Sequence, residues 1–208
     1  MTSDSHRIPR LAAALAAVLL LVPTLSACGG DDPADDRPAL SSTAHNDADV
    51  EFATAMIQHH AQAMSMVDLA AERDLDPKVQ RLAEAIRAAQ GPEIETMVDW
   101  LQEWGEDIPE TMRDHVNMGH HGDIGEAMEG MDTDMPGMMS AEDMTALQDA
   151  TDAEFQDLWL TMMVEHHEGA VEMAETEQDA GQYRPAVELA DRIVTTQTAE
   201  IEQMERLR

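Results

Sequence analysis

Adjacent histidines with methionines at helical spacing occur twice in the sequence. His59 and His60 are repeated as His166 and His167. The shift of 107 positions that carries residue 59 to residue 166 also carries Met56, Met66 and Met97 onto methionines. Imidazole nitrogen and thioether sulfur both bind copper, and the thioether favours Cu(I). The candidate ligands in this repeat are His59, His60, Met56, Met66, Met97, His166, His167, Met163, Met173 and Met204.

A second group of candidate ligands lies between the two copies of the repeat. Residues 105–139 are rich in Gly, Pro, Asp, Met and His, which predicts a mobile loop able to wrap an ion and to become ordered on binding it. Methionine often fills gaps in a core, but an exposed loop has no core to fill. The loop candidates are Met118, His120, His121, Met135, Met138 and Met139.

The paired histidines also have a purely structural interpretation. At 100° per residue His59 falls in the middle of an apolar stripe and His60 at its edge, so we expect one histidine of each pair to be buried. His59 could then hydrogen-bond Gln90, Glu93 or a partner across the bundle, as part of a polar core layer that fixes helix register. The sequence leaves this alternative and metal binding open.

The amino terminus predicts export. Arg7 and Arg10 precede an apolar run, residues 11–22, that is shorter than the ~20 residues of a membrane-spanning helix. The sequence Leu-Ser-Ala-Cys ending at Cys28 resembles a bacterial lipobox. This resemblance implies removal of residues 1–27, a lipid on Cys28 and a membrane-anchored protein facing outside the cytoplasm. An ordinary secretory signal is the alternative.

The amino-acid composition limits the metal ligands that the folded part can offer and the partners that it can bind. Cys28 is the only cysteine, so the folded part has no disulfide and no thiolate, and any soft ligand there must come from the 17 methionines. The net charge of −31 excludes nucleic acid as a natural partner and favours metal ions or basic proteins. Acidic residues with Pro and Ser predict a disordered linker over residues 28–47, in which His45 is expected to be inert.

Apolar periodicity after the linker predicts an all-α protein. Four long helices are expected, over about residues 47–73, 77–104, 151–179 and 185–208, with a short helix over about residues 141–150. They form two repeated hairpins, residues 48–104 and 151–208, joined by a Met/His-rich crossing segment, residues 105–150. This is a four-helix bundle in which pseudo-twofold symmetry brings His59 and His166 toward one interior layer. Gln90 and Gln197 are expected to approach from the facing helices.

Four motifs together resemble a known family. They are His-His-x-x-Ala-x-x-Met from residue 59, Gln-x-x-Glu-Ile-x-x-Met from residue 90, Met-Pro-Gly-Met-Met at 135–139 and His-His-Glu-Gly-Ala at 166–170. The chain resembles the family catalogued as domain of unknown function 305 over about residues 48–206, although Val171 stands where the first copy has Met64. The resemblance implies a ferritin-like fold and, because some exported members bind copper, a copper-binding bundle.

We therefore expect a non-enzymatic, lipid-anchored protein that binds copper, as Cu(I) or Cu(II), for buffering, resistance or delivery. One alternative is a surface module that binds other proteins. The other is a ferritin-like di-metal oxidase, which uses Glu from two helices and Glu-x-x-His from the other two. That motif does not occur here, since Glu93 and Glu200 are followed three residues later by Thr96 and Gln203. The sequence does not fix the oligomeric state.

Overall fold

The computed structural model describes residues 37–117, 128 and 133–208. The predicted export signal, Cys28 and the loop candidates Met118, His120 and His121 lie outside these residues. The described residues form six α-helices: α1 Asp47–Ala71, α2 Pro77–Trp104, α3 Met112–Asn117, α4 Ala141–Asp149, α5 Asp152–Ala180 and α6 Arg184–Glu205. The all-α class is confirmed, and the four long helices α1, α2, α5 and α6 are those of the predicted bundle.

Local sequence signals set the helix ends. Asn46 caps α1 in a capping box with Asp49, and Ser140 opens α4 in the same way. Helix α2 ends at Gly105, whose φ of 78° lies in the left-handed region that favours glycine. Thr151 precedes α5 without capping its amides, because its hydroxyl bonds the Glu154 carboxylate at 2.7 Å instead.

Each helix buries its apolar stripe against its neighbours. Helix α1 packs against α2 and α5, and α5 packs against α6, so each hairpin contributes both of its helices to the interior. Trp159 of α5 is fully buried, and its indole Nε1 donates to the Met66 carbonyl oxygen of α1 at 3.0 Å. Burying a large apolar side chain stabilises the fold by about 1.5–3 kcal/mol. None of the helices in the described ranges is long and apolar enough to cross a membrane.

Part of the segment predicted to be a mobile loop is helical and packed. It contains α3, and the side chains of Met112, Met128 and Met139 are buried in the same apolar cluster as Trp159. The expectation that loop methionines have no core to fill is therefore wrong for these three. Flexible, unbranched thioether side chains fill the irregular gaps between this segment and the bundle.

The end of the expected disordered linker also contacts the bundle. The Ser41 amide donates to the Gln182 carbonyl oxygen at 2.8 Å, and the Arg184 amide donates to the Ser41 carbonyl oxygen at 2.7 Å. The His45 ring stacks on Trp104 with their centroids 4.4 Å apart. Residues 41–46 therefore pack against the folded domain, and His45 contributes to an aromatic contact.

Candidate metal centre

Four histidines form a buried layer in the middle of the bundle. His59 and His60 of α1 and His166 and His167 of α5 have no exposed surface. The expectation that only one histidine of each pair is buried is wrong, because facing helices cover the edges of the apolar stripes as well as their centres. The ring centroids of His59 and His166 lie 3.7 Å apart, which confirms that the two halves bring these residues to one layer.

His60 and His167, here called the outer histidines, are held by carboxylates on the facing helices. His60 Nε2 lies 2.8 Å from Glu93 Oε2 of α2, and His167 Nε2 lies 2.9 Å from Glu200 Oε2 of α6. A carboxylate only accepts hydrogen bonds, so Nε2 of His60 and of His167 carries a proton and donates it to the carboxylate. Histidines that bind metals commonly donate their second nitrogen to a carboxylate in this way.

His59 and His166, here called the inner histidines, differ in their hydrogen bonds. His59 Nε2 donates to the Pro136 carbonyl oxygen at 3.1 Å, which leaves a lone pair on Nδ1. His166 has no hydrogen-bond partner on either ring nitrogen among the described residues, and Nδ1 of each of the four rings is likewise unpartnered there. Buried nitrogens normally have a partner, so these nitrogens need an explanation.

Burial keeps the inner histidines neutral. It is the main cause that lowers the pKa of His59 from 6.5 to about 3; the nearby His60 lowers this pKa further, and the Pro136 carbonyl opposes the shift. Burial and then His59 lower the pKa of His166 well below its usual value. Both rings are therefore uncharged at neutral pH, the form in which imidazole binds a metal.

Two glutamines belong to the same interior. Gln90 of α2 and Gln197 of α6 are buried as predicted, but the oxygen and nitrogen of both amides lack partners in the described residues. The suggested hydrogen bond from His59 to Gln90 or Glu93 is not formed. Glu93 bonds His60 instead, and His59 reaches Pro136 of the crossing segment.

The helical methionine candidates divide between the two apolar clusters of the core. One cluster surrounds the first part of α1 and the other surrounds its last part. The repeat relates the two groups, because each methionine in one has its counterpart in the other. The first group is Met56, Met97 and the half-buried Met173, and the second is Met163, Met204 and Met66.

The last methionines of the crossing segment flank Pro136, whose carbonyl oxygen contacts His59. Met135 and Met138 are half-buried, whereas Met139 is buried and its backbone is bound by the Gln62 side chain. The sequence analysis did not single out Gln62. Its position three residues after His59, close to the apolar stripe, is the signal that could have identified it.

Imidazole and carboxylate alone do not form a metal site in the part of the chain that is described. No three of its His, Asp or Glu side chains are positioned to hold one ion together. A metal site at this layer would need a further donor, such as the thioether sulfur of a methionine. The residues fit this requirement, because the neutral rings of His59 and His166 have nitrogens without a partner among the described residues and lie between two groups of methionines.

Comparison with known proteins defines the class. The model of the family described as Domain of unknown function (DUF305) matches residues 49–208, and the chain belongs to this family. It is similar to a candidate secreted DUF305 protein from Streptomyces coelicolor, with 30% identity and a TM-score of 0.63 over 77% of this chain and 91% of that one. A DUF305 fragment from Deinococcus radiodurans has 30% identity and a TM-score of 0.62, over 82% and 97% of the two chains.

A third similar protein has been solved with metals. CopM in its Cu(II)-bound form is 29% identical to this chain, with a TM-score of 0.58 over 76% of this chain and 94% of CopM. CopM has also been solved in Cu(I)-bound and Ag-bound forms. A search of curated proteins finds no match to the chain.

Proposed function

We propose that this protein is exported and binds copper at the buried histidine layer, for buffering, resistance or delivery, without turnover chemistry. The observation that carries the proposal is the layer itself. Each of its four imidazoles has at least one nitrogen with no hydrogen-bond partner among the described residues, and none of the rings has exposed surface. Leaving a polar group buried and unpaired costs about 1–3 kcal/mol, so a layer of such groups needs a compensating role.

The donor types favour copper over other metals. The folded domain offers thioether sulfur and neutral imidazole but no thiolate, a combination that suits Cu(I), while imidazole also accepts Cu(II). Zinc prefers sites richer in His or Cys. The net charge of −31 raises the concentration of cations at the surface, which speeds their capture.

The similarity to CopM supports copper, since that protein has been solved with Cu(I) and with Cu(II). The similarity to a candidate secreted protein supports export.

We propose in addition that a lipid on Cys28 holds the domain at the outer side of the membrane, as the lipobox-like sequence implies. Radiolabelled fatty acid should appear in the wild-type protein and not in Cys28→Ser.

The proposed ligands are His59 and His166 together with methionines of the two groups that the repeat relates. His59 and His166 supply nitrogen, because their rings are in contact and uncharged. Sulfur comes from the two groups related by the repeat. Met118, His120 and His121 remain candidates for a separate site in the crossing segment.

The test is metal binding by a double variant. Purified protein would be titrated anaerobically with Cu(I) against a coloured chelator, and with Zn(II) for comparison, using wild type and His59→Gln/His166→Gln. We expect the variant to bind Cu(I) at least about tenfold more weakly, since even residues that only orient metal ligands change affinity by about 10–100-fold. His45→Gln is the matched control, because His45 stacks on Trp104 away from the layer.

Two results would contradict this assignment. Unchanged Cu(I) affinity with altered stability in the double variant would make the histidines a polar core layer, and the triple variant Met118→Leu/His120→Gln/His121→Gln would then test the crossing segment. If the wild type takes up no ion at all, the metal-binding proposal is wrong, and the alternative of a module that binds other proteins is favoured. Deleting the whole segment is a poor test, because Met112 and Met139 are part of the core.

A further inference from the structure

We propose that a groove between α2 and the carboxyl end of α6 is a docking site for an acidic segment of a partner protein. The groove, here called the basic groove, is a solvent-open cavity of about 410 Å³. Its lining includes Lys78, Arg81 and Leu82 of α2, Glu200 of α6, and Arg206 and Leu207 directly after α6. Docking there needs no bound metal, so it is independent of the proposed copper binding.

The positive charges of the basic groove are not neutralised by a neighbouring helix. The exposed side chains of Lys78 and Arg81 form no ion pair with any residue in the described ranges. Arg206 pairs only with a glutamate one turn earlier, at 3.6 Å. Glu200, the one acid among the described residues that line the groove, already bonds His167 at 2.9 Å. Because the chain has 43 Asp and Glu against 12 Lys and Arg, these cations do not lack partners through any shortage of acids.

The length of the basic groove suits a segment of chain better than a single ion. Its lining residues recur at helical spacing from residue 78 to residue 85 of α2, which makes this wall about 10 Å long at the rise of an α-helix. The facing wall, residues 200–207, also covers about two turns. Leu82 is buried and Leu207 is half-buried, so the groove offers apolar surface as well as positive charge. A segment that carries both carboxylates and an apolar side chain matches this combination.

The repeat shows that the fold does not require these cations. The shift of 107 positions relates each cation of the groove to a residue without positive charge: Lys78 to Pro185, Arg81 to Glu188 and Arg206 to Asp99. The equivalent helices pack in the other half of the bundle without them. The basic groove therefore belongs to one half of the protein only, which is expected of a site that recognises a partner rather than one that supports the bundle.

An acidic protein segment matches the basic groove better than a membrane or a second copy of the chain. The net charge of −31 repels anionic lipid headgroups, and it repels another copy of the same protein. At physiological ionic strength, however, charges more than about 8 Å apart are largely screened from each other. A short acidic segment that enters the groove therefore interacts mainly with the three cations that line it.

The experiment uses Lys78, the only lysine in the chain, as a reporter. A synthetic peptide of alternating Glu and Leu, acetylated at its amino end, would be mixed with the metal-free protein at physiological ionic strength. A carbodiimide then joins a peptide carboxylate to an amine that it contacts, and mass spectrometry measures the yield at Lys78. Arg81→Gln/Arg206→Gln removes two cations of the groove and keeps the reporter. Arg184→Gln/Arg192→Gln is the matched control, because it removes two exposed cations of α6 that do not line the groove.

We expect the peptide to couple to Lys78 in the wild type and in the control, with a yield about fivefold lower in Arg81→Gln/Arg206→Gln because two attractive charge pairs are lost. No coupling in the wild type, or equal yields in the two double variants, overturns the docking site. Coupling of Lys78 to a second copy of the chain in preference to the peptide assigns the groove to self-association. Binding to phosphatidylglycerol vesicles that only Arg81→Gln/Arg206→Gln loses assigns it to a membrane. Either result overturns the acidic segment as its occupant, and a failure of copper binding affects none of these measurements.

Discussion

Replacing His59 by glutamine should change how the stability of the metal-free protein depends on pH. In the folded protein the pKa of His59 is lowered from 6.5 to about 3, mainly by burial and next by His60. Between these two values the unfolded chain binds a proton that the folded protein does not. Falling pH therefore removes stability through this window, starting near pH 6.5 and ending near pH 3.

The size of the effect follows from the shift. One pKa unit corresponds to about 1.4 kcal/mol, so His59 should reduce the free energy of unfolding by about 2 kcal/mol between pH 7 and pH 5. Glu177 acts in the opposite direction, because burial and then Asp49 raise its pKa from 4.5 to about 9. Its contribution is fully present below pH 4.5 and is lost as the pH rises toward 9, so the two residues oppose each other between pH 5 and pH 7.

The measurement is therefore a difference between proteins. Urea unfolding at pH 7 and at pH 5, followed by circular dichroism, should show that His59→Gln loses about 2 kcal/mol less than wild type on acidification. Glu177→Gln should change the slope with the opposite sign. If wild type and His59→Gln lose the same free energy, His59 takes up its proton as readily folded as unfolded, and the neutral buried layer is refuted.

Two further substitutions test the packing around the site. Gly169→Ala should lower the melting temperature, because the new Cβ would lie 2.1 Å from the Pro136 carbonyl oxygen. An unchanged melting temperature in calorimetry would contradict this close approach. Trp159→Phe should lower the free energy of unfolding, measured in urea, by about 1–3 kcal/mol, because it removes the hydrogen bond to the Met66 carbonyl oxygen. A change below about 0.5 kcal/mol would show that this hydrogen bond is dispensable.

The repeated hairpins could be predicted from the sequence because their signals are local. Apolar spacing of three and four identifies the helices, and caps such as Asn46 and Ser140 mark their starts. The repeat then carries long-range information, since two related hairpins in one bundle place equivalent residues face to face. The 3.7 Å contact between His59 and His166 follows from this symmetry.

The crossing segment could not be predicted in the same way. It has no counterpart in the repeat and no apolar periodicity, so nothing local shows that Met112 and Met139 enter the core or that Pro136 reaches His59. The burial of His60 was missed for a related reason. A helical-wheel angle describes one helix, whereas the edge of a stripe is covered or exposed according to the helix beside it.

The burial of the histidines indicates a functional site, whereas the burial of the methionines does not. A thioether with no exposed surface, such as that of Met56 or Met163, is fully explained by core packing, which gains free energy whether or not an ion is present. A neutral imidazole with an unpartnered nitrogen gains far less from burial, because it loses hydrogen bonds to water and regains none. Among the described residues His166 has no hydrogen-bond partner on either ring nitrogen, and a bound metal would offset this cost by forming a coordinate bond to one of them.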